Sequence, residues 1–241
     1  MLKIGHRGAK AYAPENTLTS FRTALEMGVD MVEFDIRITK DKYPVVIHDS
    51  HLRRLTKRFG QVKKMSLAEV KKLRIKKTEK IPTLAEVLET IDNRVGINIE
   101  LKVKGSAQIV VQTLRDCKVD FKNVMISSNY PNEIKAVERL EPEITTALLF
   151  RATNVFNIWF IFDFLAILFL PITKHYIRWL VKRAGADYLN INHRFLDKNK
   201  VALFKKHGIK ICAWTVDSQK KIDYLKSLGV DGIITNYPDR L

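Results

Sequence analysis

Two acidic residues in one predicted strand are the first candidates for chemistry in this chain. Glu33 and Asp35 lie in the segment from Met31 to Ile36, in which apolar residues take the alternate positions. Side chains alternate faces along a strand, so both carboxylates share one face and the apolar residues share the other. If helices cover the apolar face, the carboxylates point into the interior of the sheet. Like charges held so close in a poorly solvated place repel strongly, and a bound cation is the usual remedy.

A second segment, 96–102, repeats this alternation. Asn98, Glu100 and Lys102 share one face of it, and isoleucine and leucine residues form the other. The pattern adds a third inward carboxylate, with a lysine two residues further on. Edge strands with a wet face are the alternative, but neighbouring apolar runs favour a closed sheet that is covered on both sides.

The order of the predicted elements indicates how these strands are arranged. Strand-like and helical runs alternate along the 241 residues, which is enough chain for one large domain over residues 1–241. Capping boxes at Ser66–Glu69 and Thr83–Glu86 mark two helix starts. The predicted strands lie near 2–6, 31–36, 96–102, 123–128, 145–150, 187–192, 209–216 and 231–235. Eight such strand–helix units predict an α/β fold of the TIM (β/α)8 barrel type.

One apolar segment, Pro44 to His48, is left over and follows the second strand too closely for a helical crossover. It predicts a β-hairpin, for which we expect Arg37 to pair with Val46 and Asp35 with His48. This register carries His48 back to the carboxylates. In a barrel the chemistry gathers at the C-terminal ends of the strands, where His6 also lies.

Together these residue types indicate phosphodiester cleavage. Carboxylate ligands without a nearby cysteine favour one hard divalent cation, Mg²⁺ or Ca²⁺, over Zn²⁺. His6 and His48 can act as a general acid/base pair, and Arg7 and Lys102 supply positive charge for a phosphate. Trp214 either forms an aromatic wall for the alcohol portion of a substrate or caps the core.

Bulk composition limits the partners. The net charge of +16, from 42 Lys and Arg against 26 Asp and Glu, favours phosphates, nucleic acid or an anionic membrane. Aromatic residues are not interleaved with the basic groups as base stacking requires, so we expect no nucleic acid partner. Cys117 and Cys212 lie far apart and indicate a reducing compartment. The chain begins directly in a predicted strand, so we expect no signal peptide and a cytoplasmic location.

The chain resembles the glycerophosphodiester phosphodiesterase family of phospholipase-C-like TIM barrels. The motifs that carry this resemblance run in family order from residue 5 to the C-terminus. They are His6-Arg7-Gly8, Pro14-Glu15-Asn16-Thr17, Glu33-Phe34-Asp35, Thr39-Lys40-Asp41, Val45-Val46-Ile47-His48-Asp49, Ile81-Pro82-Thr83-Leu84, Ile99-Glu100-Leu101-Lys102, Trp214-Thr215-Val216 and Gly229-Val230-Asp231-Gly232-Ile233-Ile234-Thr235. Two departures stand out: Lys42 replaces the usual glycine of the hairpin, and 152–183 is unlike the usual connection.

The resemblance implies metal-dependent hydrolysis of a glycerophosphodiester to an alcohol and glycerol phosphate. It implies a role for each residue of the predicted site. The implied metal ligands are Glu33, Asp35 and Glu100, and the implied acid/base pair is His6 and His48. The implied phosphate contacts are Arg7 and Lys102, and Glu15 and Asn16 have a support role at the substrate site from the first loop. A lysophospholipase D-type activity on membrane-borne lysophospholipids is the alternative among enzymes. A non-catalytic barrel that binds phosphate or membrane is the alternative from another class.

A hydrophobic helical insertion is predicted at 152–183, after the sixth strand when the hairpin strand is counted. Residues 155–172 are apolar apart from Asn157, Asp163 and Pro171, and four basic residues follow at Lys174, Arg178, Lys182 and Arg183. The run is short for a transmembrane span, which needs about 20 residues. We expect 155–183 to form a membrane-dipping element with peripheral contact to anionic lipid. A buried extra helix and an oligomer contact are the alternatives.

Overall fold

The structure is a computed structural model that describes residues 1–150 and 170–241. Its centre is a closed barrel of eight parallel strands, in which the first strand pairs with both the second and the last. The barrel strands are β1 (Leu2–His6), β2 (Met31–Ile38), β6 (Gly96–Leu101), β7 (Val124–Ser128), β8 (Thr145–Phe150), β9 (Tyr188–Asn192), β10 (Lys210–Trp214) and β11 (Gly232–Thr235). The predicted TIM-type barrel is therefore confirmed, and each predicted strand boundary lies within two residues of the observed one.

Helices cover the outside of this barrel. In the described ranges they are α1 (Leu18–Glu26), α2 (Arg53–Thr56), α3 (Leu67–Lys71), α4 (Leu84–Ile91), α5 (Ala107–Asp116), α6 (Pro131–Leu140), α7 (Leu170–Ala184), α8 (Lys198–Lys206) and α9 (Gln219–Ser227). Both predicted capping boxes are present, since Ser66 and Thr83 each exchange hydrogen bonds with the glutamate three residues on. These caps satisfy backbone donors that a helix start leaves open.

The alternation of side chains on β2 is as the sequence predicts. Val32, Phe34 and Ile36 are fully buried in the outer core beneath the helices, and Glu33 and Asp35 are buried on the inner side. The lower interior of the barrel is filled by a separate apolar cluster. That cluster contains Ile4, Met31, Met125, Ala147, Cys212 and Ile234. The carboxylates therefore lie above this apolar cluster, at the C-terminal ends of the strands.

The hairpin forms between β2 and β3 (Pro44–Val46), but its predicted register is wrong by one residue. Arg37 pairs with Val45, where Val46 was expected. The reason lies in Thr39, whose side chain bonds the turn: its hydroxyl donates to Asp41 at 2.6 Å and accepts from the Tyr43 N–H at 2.9 Å. The Thr39 N–H also donates to the carbonyl of Tyr43 at 3.0 Å, so Thr39 pairs with Tyr43 and not with Pro44, and the turn between them is one residue shorter than predicted. Lys42 has a φ of 69°, the left-handed conformation that suits glycine.

The ladder of the hairpin stops before His48, yet the chain still reaches the barrel mouth. The Ile47 N–H donates to the carbonyl of Asp35 at 2.9 Å, and Arg37 Nε donates to the carbonyl of His48 at 2.8 Å. The expected Asp35–His48 strand pair is therefore absent from this part of the chain, but His48 lies beside Asp35. A small unpredicted ribbon, β4 (Arg74–Ile75) with β5 (Glu79–Lys80), follows the hairpin.

Only part of the predicted insertion falls in the described ranges, because 152–169 lies outside them. The described part includes α7, which packs Ile177 and Val181 into the outer core and leaves Trp179 49% exposed. Among the described residues, no helix is both long and apolar enough to cross a membrane.

Candidate active site

Three carboxylates meet at the C-terminal ends of β2 and β6. Glu33, Asp35 and Glu100 are all buried, and each offers one oxygen such that these three atoms lie within 4.8 Å of one another. The pairing of β2 with β6 accounts for this, since it sets Asp35 directly beside Glu100. An all-oxygen donor set this compact fits a hard divalent cation, which would offset the repulsion among the three charges.

Two basic side chains lie against the same carboxylates. Lys102 Nζ is 3.0 Å from Asp35 Oδ1 and 2.5 Å from Glu100 Oε1, and Arg7 Nε is 3.2 Å from Asp35 Oδ2. Asn16 Nδ2 donates to Asp35 Oδ2 at 2.8 Å. Burial acts to raise the pKa of Asp35, but the charges of Lys102 and Arg7 outweigh it and hold that pKa far below its usual range.

Glu33 behaves in the opposite way. Burial and the nearby charges of Asp35 and Glu100 raise the pKa of Glu33 to about 8. The backbone N–H of Arg7 donates to Glu33 Oε2 at 2.9 Å, which is too little to offset those effects. Without a cation, the carboxylates therefore share the pocket only if Glu33 keeps a proton at neutral pH.

His6 ends β1 and is held in one orientation by Asn236. Its Nδ1 lies 2.6 Å from Asn236 Oδ1, while Asn236 Nδ2 donates to Asp217 Oδ2 at 2.7 Å. Because a carboxylate only accepts, the amide nitrogen must face Asp217, so the amide oxygen faces His6 and Nδ1 carries the proton. His6 Nε2 is then an acceptor that makes no hydrogen bond among the described residues, and it lies 4.0 Å from Glu33 Oε2. Burial and the charge of Arg7 lower the pKa of His6 to about 3.

His48 is oriented in the same way by its neighbour in sequence. Its Nδ1 lies 2.7 Å from Asp49 Oδ1, so this nitrogen donates and Nε2 is left to accept. Arg54 binds the other oxygen of Asp49. Burial lowers the pKa of His48 to about 4, against the opposing charge of Asp35. Both imidazoles are therefore neutral at pH 7.

The first loop holds Arg7 in place. Arg7 Nη1 donates to Glu15 Oε1 at 2.8 Å, and Arg54 Nη2 donates to the same oxygen at 2.6 Å. Burial acts to raise the pKa of Glu15, but the hydrogen bonds from Arg54 and the charge of Arg7 lower it to about 2. Arg7 and Asn16 have φ values of 52° and 59°, a strained conformation that persists where the surroundings fix it.

The structure therefore brings nine of the ten predicted site residues into one cluster and sets Trp214 on the pocket wall. The pocket between them is lined by His6, Arg7, Glu33, Asn98, Glu100, Ser127, Leu149, Asn190, Trp214, Thr215 and Ile234. The sequence analysis named Asn98 but gave it no role, and it missed Ser127 and Asn190. The alternation of side chains along their strands places Asn98, Ser127 and Asn190 inside the barrel. No sequence motif marks these three polar residues as functional.

The sequence analysis also missed the residues that orient the histidines. Asp49 contacts His48 and is itself held by Arg54. Asn236 contacts His6 and is itself held by Asp217. Asp49 was visible as the neighbour of His48. Asn236 was not, because nothing in the local pattern links it to His6.

The closed barrel, with carboxylates, basic residues and two histidines at its C-terminal face, defines a TIM-barrel enzyme with a phosphodiesterase-type site. The chain belongs to the glycerophosphoryl diester phosphodiesterase family, whose sequence model matches residues 6–240. Its relatives include YhdW of Bacillus subtilis (strain 168), 35% identical over 250 residues that cover 99% of this chain and 96% of that protein. Glycerophosphodiester phosphodiesterase of Caldanaerobacter subterraneus subsp. tengcongensis is 33% identical over 253 residues, which cover 100% and 96% of the two chains.

Solved structures agree with this assignment. The Oleispira antarctica phosphodiesterase OLEI02445, solved in complex with the product sn-glycerol-3-phosphate, superposes with a TM-score of 0.83. It is 28% identical, and the match covers 98% of this chain and 93% of that one. Glycerophosphodiester phosphodiesterase from Thermotoga maritima superposes with a TM-score of 0.77 at 27% identity, covering 99% and 96%. The protein is a hydrolase of the phosphodiesterase class.

Proposed function

We propose that this protein hydrolyses glycerophosphodiesters to an alcohol and glycerol phosphate, with one divalent cation, Mg²⁺ or Ca²⁺, and a pair of histidines. The observation that carries the proposal is that three buried carboxylates lie in one cluster with two imidazoles. Each imidazole has its Nδ1 engaged, and its Nε2 makes no hydrogen bond within the described residues. Glu33, Asp35 and Glu100 would hold the cation. When bound, it supplies positive charge that stabilises the transferring phosphoryl group.

The two histidines fit the two proton transfers of the reaction, one from the attacking hydroxyl and one to the leaving oxygen. Both are neutral at pH 7 and have Nδ1 engaged, so either Nε2 can take the proton of the attacking hydroxyl. The other imidazole must hold a proton for the leaving oxygen. A bound phosphodiester brings negative charge next to the rings, which raises their pKa values and favours this protonated form.

Arg7 and Lys102 are poised to receive the phosphate. In the described structure both neutralise Asp35, and Lys102 also neutralises Glu100. A cation held by the carboxylates would take over that neutralisation, and the two side chains could then turn to phosphate oxygens. Glu15 and Asn16 serve as supports, since they hold Arg7 and Asp35 from the first loop.

The test is an activity screen over glycerophosphocholine, glycerophosphoethanolamine and the matching lysophospholipids, with chelation by EDTA and metal add-back. We expect turnover of the water-soluble diesters that is lost with EDTA and restored by Mg²⁺ or Ca²⁺. Full turnover after EDTA would refute the metal assignment. Turnover restricted to lysophospholipids would establish the lysophospholipase D-type alternative.

A peripheral contact with an anionic membrane through 155–183 accompanies that alternative. Residues 155–169 lie outside the described ranges, but α7 supports the idea through exposed Trp179, which stacks on Tyr176 at 5.9 Å and lies 4.9 Å from the Arg183 guanidinium. An aromatic ring between basic groups suits a lipid interface. Sedimentation with anionic and with neutral vesicles tests this contact, by comparing wild type with the triple variant Trp159→Ser, Phe160→Ser, Phe164→Ser. Binding that depends neither on lipid charge nor on the triple change would contradict the membrane contact.

We also propose that residues 1–241 form a single domain.

A further inference from the structure

The deepest part of the pocket contains polar atoms that nothing in the described structure satisfies. Asn190 is 1% exposed, and among the described residues neither end of its carboxamide has a hydrogen-bond partner. Asn98 is fully buried; its oxygen accepts from the Ser127 hydroxyl at 2.9 Å, and its nitrogen has no partner in the described residues. Reversing the Asn98 amide would change which end is open but would still leave one open.

Such atoms are costly in a folded protein. A buried donor or acceptor that lacks a partner destabilises the fold by about 1–3 kcal/mol, and three of them lie in one pocket. Both asparagines point into the space that His6 and Glu33 also line. Asn98 precedes Glu100 by two residues on β6, which is about 7 Å along the strand, and it lies beside Glu33 of β2. The two asparagines therefore form the polar end of the substrate pocket.

Part of the wall of this space is apolar. Leu149, Trp214 and Ile234 line it, and strand pairing sets Leu149 directly beside Asn190. The site thus combines one side chain that offers both a donor and an acceptor, a second donor, and a surface for carbon. A short chain with adjacent hydroxyls has this chemistry, because each hydroxyl both donates and accepts.

We propose that Asn190 and Asn98, the latter positioned by Ser127, recognise the two free hydroxyls of the glycerol moiety and make the enzyme select glycerol diesters. The inference rests on the proposed function and deepens it by assigning residues to substrate selection. Asn190 binds the diol through both ends of its carboxamide, and Asn98 donates to one hydroxyl. Leu149 and Trp214 contact the carbon atoms.

The test compares binding of two ligands to the Mg²⁺-loaded enzyme by isothermal titration calorimetry. The ligands are sn-glycerol 3-phosphate and propyl phosphate, which has the same phosphate and carbon chain but lacks both hydroxyls. Wild type should bind the glycerol compound more tightly. Asn190→Leu keeps the side-chain volume and should reduce that preference about tenfold or more, because the hydroxyls lose their partners. Its thermal midpoint should rise, since an unsatisfied polar group is replaced by an apolar one.

Asn192→Leu is the matched control on the same strand. The Asn192 side chain accepts from the Arg194 N–H at 3.0 Å, so its replacement should lower the thermal midpoint and leave the ligand preference unchanged. A lower midpoint in Asn190→Leu would show that its carboxamide is already satisfied in the fold and would overturn the proposal.

Two further results keep the test decisive if Asn190→Leu does not fold. Equal binding of both ligands by wild type would overturn the proposal without any variant. Asn98→Leu should also weaken the preference, and an unchanged preference in this variant would remove Asn98 from the site. Failure to cleave any glycerophosphodiester would instead refute the proposed function, which the binding comparison does not require.

Discussion

His6 Nδ1 lies 2.6 Å from the side-chain oxygen of Asn236, a residue 230 positions further along the chain. Pairing of β1 with β11 closes the barrel and brings the two together, because Gly5 lies directly beside Thr235. Asp217 fixes the amide of Asn236 from behind, through bonds to both its side-chain and backbone nitrogens. The orientation and protonation of a candidate catalytic histidine are therefore set by barrel closure.

Asn236→Asp should change the pH dependence of the reaction. A carboxylate beside Nδ1 favours the charged imidazole, so the pKa of His6 should rise from its lowered value. With His6 as the proton acceptor, the acid limb of the kcat/KM profile should move to higher pH by roughly 1–2 units. Asn199→Asp, an exposed change on α8, is the control and should leave the profile in place. An unmoved acid limb in Asn236→Asp would separate Asn236 from the reaction.

His6→Ala and His48→Ala should each lower kcat by roughly 10²–10⁴, since each removes one proton transfer. The double variant should be little worse than either single one, because the residues act as a unit. His51→Ala is the matched control: His51 lies three residues from His48 but bonds only Ser50 and Gln61 among the described contacts. Near-normal turnover of His48→Ala in a steady-state assay would exclude it from the chemistry.

Glu100→Gln should weaken Mg²⁺ binding and lower activity by roughly 10²-fold or more, because it removes one of three charged ligands. Calorimetric titration with Mg²⁺ measures the first effect and the diesterase assay the second. Asp116→Asn removes the same charge from the exposed end of α5 and should change neither. Equal Mg²⁺ affinity in Glu100→Gln and wild type would show that Glu100 is not a ligand.

The metal-free protein should lose stability as pH rises toward 8. Burial and the charges of Asp35 and Glu100 raise the pKa of Glu33 from 4.5 to about 8, so the folded state keeps a proton that the unfolded state releases. Unfolded histidine has a pKa of 6.5, so above about pH 7.5 the pocket histidines are largely neutral in both states and Glu33 dominates among the pocket residues. The free energy of unfolding should fall there by at most about 1.4 kcal/mol per pH unit.

Chemical denaturation with EDTA present, at about pH 7.5, 8 and 8.5, measures this slope. Glu33→Gln stays neutral throughout and should remove most of it. The slope of Asp116→Asn should equal that of wild type. A slope shared by wild type and Glu33→Gln would place the responsible proton on another group.

Lys42→Gly should stabilise the protein by up to about 1 kcal/mol, since Lys42 holds a left-handed φ of 69° that costs a non-glycine residue energy. The greater freedom of glycine in the unfolded chain offsets part of this gain. Lys40→Gly is the control, because Lys40 does not have a positive φ, and it should destabilise. Urea denaturation distinguishes the two. Destabilisation by both changes would show that the Lys42 side chain contributes to the turn.

The sequence by itself determined the barrel and most of the cluster of polar residues at its mouth. The alternation of Glu33 and Asp35 with Phe34 has a period of two, which is a local property and survives any arrangement of the rest of the chain. The same alternation placed Glu100 and Lys102 inside, and the order of the strands predicted where their ends meet. The capping boxes at Ser66 and Thr83 are likewise local, and they appear as expected.

Tertiary structure alone decided the features that depend on distant contacts. The predicted hairpin register is wrong by one residue because the hydroxyl of Thr39 forms hydrogen bonds within the turn. The apolar periodicity of the strands does not specify those hydrogen bonds. Asn236 reaches His6 only because the last strand pairs with the first. The raised pKa of Glu33 and the open carboxamide of Asn190 arise from burial among particular neighbours. Burial and barrel closure depend on contacts between residues that are far apart in the sequence, so no local sequence pattern can specify them.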